Sequence, residues 1–398
     1  MSTSRRLAQA ALLSIIALGA HAQSIVTVAG GGTDDGHAAT DVALYGVAGL
    51  AVDSRGNLYM AEQYANLIRK VSPDGTITTV AGNGGAGFGG DGGRASKATI
   101  RRPTAVVWNT NGDLYIADHD NGRIRRIDAA TGIISTIAGI GKDRADMTIG
   151  DNGPATEAVL NGPVSLWLDR GNLYVTEDAY NGNRIRKIVL ATNVITTIAG
   201  ATDGSYGDAG DGGPATAAKF DGPGAVAVDS AGNIYVSDNY NHRVRRIDAA
   251  TGNINTYVGG GDKSGDAADG GPATAAKIQN PAALTFDRDG NLIVSELDRI
   301  WRVDKNTRIL STFTKDLSLS YGMALASNGD LYVGDGFSFV VKFALNQSAF
   351  TIIAGGGSFV GDGLPATAAV LRAPVGVAVD RDGNLFIADF ANALVRKV

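Results

Sequence analysis

Ala225-Val226-Ala227-Val228-Asp229, Ser230-Ala231-Gly232-Asn233, Ile234-Tyr235-Val236-Ser237-Asp238 is the stretch whose reading decides the fold. It reads as an apolar first strand, a turn, and a second strand ending on an acid. After Asn239-Tyr240-Asn241-His242 comes a third strand, Arg243-Val244-Arg245-Arg246-Ile247. The turn Asp248-Ala249-Ala250-Thr251-Gly252 then leads into Ile254-Asn255-Thr256-Tyr257-Val258-Gly259. Short β-rich runs between Gly/Asp/Asn turns predict a four-stranded antiparallel meander.

The turn and second strand recur along the chain. The other copies are Gly56-Asn57-Leu58-Tyr59, Gly112-Asp113-Leu114-Tyr115, Gly171-Asn172-Leu173-Tyr174, Gly290-Asn291-Leu292-Ile293, Gly329-Asp330-Leu331-Tyr332 and Gly383-Asn384-Leu385-Phe386. From one Asn/Asp to the next the steps are 56, 59, 61, 58, 39 and 54 residues. A period of this kind marks stacked units, none of which can bury its faces alone. Four-stranded antiparallel units repeated radially make an all-β β-propeller. The last copy reaches Val398 after its third strand, while Ile25–Gly30 matches the fourth strands Ile77–Gly82 and Ile195–Gly200. The N-terminal strand is therefore expected to complete the last blade and close a ring of seven. Six blades is the alternative, because the copy from Gly322 to Gly355 is the most divergent.

A second element recurs between units. Gly210-Asp211-Gly212-Gly213-Pro214-Ala215-Thr216-Ala217-Ala218 returns as Ala268-Asp269-Gly270-Gly271-Pro272-Ala273-Thr274-Ala275-Ala276, with looser versions from Asp35, Asp91, Asp151 and Asp362. The glycines suit a tight loop, and the Pro with its Ala/Thr run suits the first turn of a short helix. The 55 glycines among 398 residues, well above the usual share of about 7%, fall in these repeated turns.

The N-terminus reads as a separate object. Arg5 and Arg6 precede the apolar run Leu7–Ala20, and Ala20-His21-Ala22 supplies a small-residue cleavage site. This is the anatomy of a secretory signal peptide over 1–22, too short for an ordinary membrane span. The expected mature domain covers 23–398 and is secreted or periplasmic, with no membrane span. Removing two arginines takes the formal charge from −5 to about −7. There is no cysteine, so neither a disulfide staple nor thiolate chemistry is available.

Asn241-His242-Arg243-Val244 with its flanking strands resembles the NHL repeat, and Asn121-Gly122-Arg123-Ile124 and Asn392-Ala393-Leu394-Val395 are degenerate copies. With the D-G-G-P-A-T connectors, residues 24–398 are similar to the NHL propellers of bacterial secreted proteins and teneurin-type ectodomains. The resemblance implies a propeller. For activity it implies only a range, since such propellers include scaffolds, RNA binders and a few lyases or hydrolases.

Loops between second and third strands share one face with the connectors. That face is expected to gather the acids ending each second strand: Glu62, Asp118, Glu177, Asp238, Glu296, Asp335 and Asp389. It also gathers the less uniform residues Tyr64, His119, Asp120, Tyr180, Tyr240, His242 and Phe390, which are the candidate contact residues. An acid present in every blade reads as scaffold, accepting loop amides or pairing with third-strand arginines. Those arginines are read as Arg69, Arg125, Arg186, Arg245, Arg302 and Arg396. A stripe that repeats with the blade on an acidic, exported chain argues for ion pairing and against nucleic acid.

Early first-strand positions Gly49, Ala105, Ser165, Ala225, Ala283, Gly322 and Gly376 are small residues that hold no metal. The expectation is an exported scaffold binding a protein, peptide or glycan through its top-face loops. It is read as a monomer without a cofactor and without catalytic residues. The alternative is a divalent-metal lyase or hydrolase at the channel mouth, using Ca or Zn, for which Asp118 and Asp238 are the candidate ligands.

Overall fold

A computed structural model describes residues 26–29, 35–36, 47–53, 55, 57–72, 74, 76–141, 149–177, 182–296, 299–315, 322–325, 331–334, 339–343, 350–355, 366–369, 371–392 and 394–398. The chain is an all-β propeller of four-stranded antiparallel blades. The unit read from sequence is built of Pro223–Val228, Ile234–Asp238, Arg243–Ile247 and Ile254–Gly259. Only its first strand departs from the reading, starting two residues earlier, at the proline. Proline lacks an N–H to give to a ladder, so the first residue of a strand is a natural place for it.

Six meanders are each made of consecutive strands, with first strands Val47–Val52, Pro103–Trp108, Pro163–Asp169, Pro223–Val228, Leu284–Phe286 and Gly322–Leu325. They are numbered here as blades one to six. A further four-stranded sheet is composite. Its strands Pro374–Val379, Leu385–Asp389 and Leu394–Lys397 are joined by Val26–Ala29, which runs antiparallel to Leu394–Lys397. Each first strand packs beside the next, and Pro374–Val379 packs beside both Gly322–Leu325 and Val47–Val52, so the first strands form a cycle.

A register shift recurs where the third strand meets the fourth. In blade four, Val244 faces Val258 but Arg245 faces Thr256, leaving one extra residue on the outer strand. The same bulge sits at Ile68/Arg69, Ile124/Arg125, Ile185/Arg186 and Ile300/Trp301. The composite sheet repeats it, with Thr27 facing Arg396 and Ala29 facing Val395. A bulge of this kind re-aims a side chain and increases the local twist.

Apolar side chains from facing sheets fill the gaps between blades. Between blades four and five, Tyr235, Val244 and Val258 pack with Leu284, Val294 and the fully buried Trp301. Burying side chains of this size stabilises by roughly 1.5–3 kcal/mol each. The connectors join the same cores. Among the described residues the Ala/Thr runs form single 3-10 turns, as at Ala215–Ala217 and Ala273–Ala275, with Ala215, Ala218, Ala273 and Ala276 buried. Gly210 shows why the loop needs glycine, since it lies at φ +108 and a Cβ there would stand 2.5 Å from the Ala218 Cα.

Candidate functional site

Among the described residues, an acid at or just after the end of each second strand is withdrawn from solvent. Glu62, Asp118, Glu177, Asp238 and Asp389 are wholly buried, and Glu296 nearly so. A backbone amide at the entry to the same blade donates to the acid: Arg101 to Asp118 at 2.7 Å, Asn161 to Glu177 at 2.9 Å, Asp221 to Asp238 at 2.8 Å, Gln279 to Glu296 at 2.6 Å and Arg372 to Asp389 at 2.5 Å. The third-strand arginine approaches from the other side, at 3.1 Å for Arg186–Glu177 and 3.3 Å for Arg125–Asp118.

The arginine is shared with the connector. Arg125 also meets Asp91 at 2.5 Å, Arg186 meets Asp151 at 2.9 Å, Arg245 meets Asp211 at 2.6 Å and Arg69 meets Asp35 at 2.8 Å. The D-G-G loop, the third strand and the second-strand acid are thus tied into one unit, buried at the acid and the arginine and open to solvent at the connector aspartate. A guanidinium between two carboxylates, each also hydrogen-bonded, is the arrangement that a buried charge needs.

Blade five departs from the expected arginine set. The position facing Val294 is Trp301, and Arg302 faces Ile293 one residue further on. The Trp301 indole Nε1 donates to Glu296 Oε1 at 2.7 Å, while Arg302 pairs with Asp287 at 2.8 Å. The loop before this strand is shorter than in blade four, so counting along the chain picks the wrong neighbour. Ladder register corrects it.

Burial still weighs on these carboxyls. Desolvation is the largest influence on Asp238 and pushes it up to about 6, against the Asp221 amide, Asn241 and the Arg245 and Arg243 charges. Asp389 is likewise pushed up to about 6, by burial against the Arg372 amide, Asn392 and Arg396. Burial raises Asp118 as well. Three asparagines serve these acids, with the side-chain amides of Asn121, Asn241 and Asn392 donating at 2.9 Å to Asp118, Asp238 and Asp389. In the sequence these asparagines stand out only as the first residue of each N-H-R-V-like motif, with no role attached. The signal of their role is the spacing, three residues after the acid.

The less uniform residues divide into three groups. Tyr64 and Tyr240 are 66% and 67% exposed, two residues past the acid in blades one and four. Tyr64 also meets Phe390 of the composite sheet edge-to-face, ring centroids 6.4 Å apart. His119 is placed inside and not on the surface, at 7% exposure, with Nδ1 2.8 Å from Asp120 Oδ1. Asp120 lies 3.5 Å from Arg101 and 3.6 Å from Arg102.

His242 has a latch geometry. It closes its turn at φ 55, and its Nδ1 accepts the Asn280 amide of the next blade at 3.3 Å. Asn66 and Asn183 do the same from equivalent left-handed positions, accepting from Arg102 at 3.0 Å and Gly222 at 3.2 Å. Tyr180 and Asp335 lie outside the described residues. Among the described residues, no group of three or more His, Cys, Asp or Glu side chains is placed to hold a metal ion. Asp118 and Asp238 belong instead to the arginine-bridged units above.

The family model of the NHL repeat matches residues 220–247, the first three strands of blade four with the turns between them. This chain is a β-propeller that carries an NHL repeat in blade four. The mouse protein Teneurin-3 is 26% identical over 373 residues, 88% of this propeller but 12% of Teneurin-3. The Arabidopsis thaliana chloroplastic protein Suppressor of quenching 1 is 26% identical over 257 residues, 62% of this propeller and 24% of that protein. The chain therefore spans less than a quarter of these relatives. Among solved structures, virginiamycin B lyase from Staphylococcus aureus superposes with a TM-score of 0.57 at 16% identity, covering 89% of this chain and 97% of that one. That likeness concerns the fold. Among the described residues no helix of the propeller is long and apolar enough to cross a membrane.

Proposed function

We infer that this NHL propeller is an exported binding scaffold whose ligand, a protein, peptide or glycan, seats on the loops between second and third strands. The observation that carries the reading is a contrast at the end of each second strand. The repeated acids are enclosed and matched by amides and arginines, whereas Tyr64 and Tyr240 project from the same loops with two-thirds of their surface open. Large amphipathic rings on a rigid frame make contact area at low entropic cost. Export rests on the Arg5/Arg6, Leu7–Ala20 and Ala22 pattern. We read the ring as seven blades, with the composite sheet as the seventh and Val26–Ala29 as its closing strand, a reading supported by the antiparallel pairing of that strand with Leu394–Lys397.

The test is capture of partners from the native host with the wild type and with Tyr64→Ala/Tyr240→Ala. Loss of a specific partner in the variant, with folding unchanged, supports the reading, and identical capture profiles oppose it. A divalent-metal lyase or hydrolase is the second reading, prompted by the likeness in fold to virginiamycin B lyase. Elemental analysis of the purified protein separates the two, since a stoichiometric divalent ion lost on Asp118→Asn or Asp238→Asn would favour catalysis.

A further inference from the structure

At the opposite end of the strands, where first-to-second and third-to-fourth turns gather, a cleft of about 870 Å³ opens between blades four and five. The corresponding cleft between blades two and three measures about 720 Å³, and that between blades one and two about 370 Å³. The large cleft is walled by three aromatic rings. Tyr235 stands edge-to-face with Tyr257 at 4.8 Å and with Phe286 at 5.2 Å.

Arg308 covers this aromatic wall. Its guanidinium carbon lies 3.6 Å from the Tyr257 ring centroid, and Nη2 donates to the Tyr257 carbonyl at 3.1 Å. Nε is buried without a hydrogen-bond partner. No carboxylate among the described residues pairs with it; its tyrosine neighbours are neutral phenols, and the cation that reaches it, Arg246, is itself paired with Asp248 at 3.0 Å. Desolvation holds the Arg308 guanidinium below its ordinary range. A half-buried cation with no counter-charge is costly where it stands.

The backbone at Arg308 is costly too. It closes the turn from Asp304 at φ 62, in the left-handed region. The equivalent residues in blades two and four are Gly132 at φ 68 and Gly252 at φ 71, and in blade three Asn193 at φ 54. Glycine and asparagine visit this region readily, whereas an arginine does not. Two independent costs therefore meet at one residue, beside the largest of these clefts. Arg102 at φ 49 and Arg170 at φ 45 hold the same backbone region, so what sets Arg308 apart is its coincidence with an uncompensated charge beside the cleft.

We propose that the cleft between blades four and five binds a small planar carboxylate, its ring against the partly open Phe286 at the edge of the buried Tyr235–Tyr257 pair and its carboxylate on Arg308. The charged lining leaves an excess of one cation, with Arg246, Arg288, Lys305 and Arg308 against Asp229, Asp287 and Asp289. Asp287 is engaged by Arg302, Asp229 by Asn233, and Asp289 lies 3.9 Å from Arg302, its carbonyl accepting from the Lys305 ammonium. A guanidinium stacked on an aromatic face presents its edge for paired hydrogen bonds to a carboxylate. The carboxylate could come from a free aromatic acid or from a peptide ending in an aromatic residue, which carries the same chemistry. This site lies on the face opposite Tyr64 and Tyr240 and stands independently of the reading made there.

The experiment uses the purified full chain and calorimetric titration with phenylacetate, benzyl alcohol, acetate and the dipeptide Gly-Phe with a free C-terminus. Phenylacetate or Gly-Phe is expected to bind at least tenfold more tightly than either benzyl alcohol or acetate, and whichever is tighter identifies the source. Arg308→Gly is expected to weaken that binding at least tenfold while the unliganded melting temperature holds or rises, as the glycine-bearing sister turns imply. Arg308→Asn, which copies the residue type of the Asn193 turn, provides a second folded variant with the same expected loss. Equal binding by the wild type and either variant would overturn the site, as would a wild type that binds none of the carboxylates.

Discussion

The Gly-Asn pair that marks each repeat is a cross-link as well as a turn. In blade four, Asp229 Oδ1 accepts the Ala231 and Asn233 amides at 2.9 Å, and the Asn233 side chain donates to Asp229 Oδ2 at 2.8 Å. Asn233 Oδ1 also accepts the Ala249 amide of the outer turn at 3.0 Å. Blade two exchanges the pair, with Asn109 donating to Asp113 at 3.1 Å and Asp113 accepting from Ala129 at 3.0 Å. One donor and one acceptor are required, in either order. Asn109→Asp is therefore expected to destabilise by about 1 kcal/mol through facing carboxylates, with part recovered in Asn109→Asp/Asp113→Asn, as read by urea denaturation. A second residue-scale consequence concerns pH. Asp238 has a folded pKa of about 6, raised above its unfolded value near 4, so the native state holds the extra proton between them. Its contribution is present below about pH 4 and is lost as pH rises through 6. Relative to Asp238→Asn, the wild type should gain roughly 2–3 kcal/mol between pH 7 and pH 4, measured by denaturation at each pH.

At the scale of elements, blade-to-blade contacts are set by side chains that leave their own sheet. His242 reaches Asn280 as Asn66 reaches Arg102, so the imidazole does the work of an asparagine side chain. His242→Asn should melt within about 0.5 kcal/mol of the wild type. His242→Ala should lose about 1–2 kcal/mol, from an amide without its acceptor and an alanine in the left-handed region. The strands themselves are legible in the sequence, because alternation and turn residues mark them locally: three strands of blade four match to the residue. Longer-range facts are less legible. Repetition marks the acids as scaffold, but nothing local marks the connector aspartates as partners of the same arginines. Asp211 and Arg245 are 34 residues apart and meet only through the fold. Trp301 in an arginine position is hidden by a shortened loop, and the interior placement of His119 by a 3-10 turn that folds it inward.

For the molecule as a whole, repetition and exception carry different meanings. What recurs from blade to blade is enclosed and paired: the acid, its loop amide and, in most blades, the arginine joined to the connector. What differs is exposed or strained, as at Tyr64, Tyr240 and Arg308. The central claim is that recognition belongs to the exceptions on the second-to-third-strand loops. It is tested most directly by quantitative capture of the host partner with wild type, Tyr64→Ala/Tyr240→Ala and Asp238→Asn, each at equal folded concentration. The account expects the tyrosine variant to lose the partner at least tenfold and Asp238→Asn to retain it. Full retention by the tyrosine variant, with loss in Asp238→Asn, would contradict it.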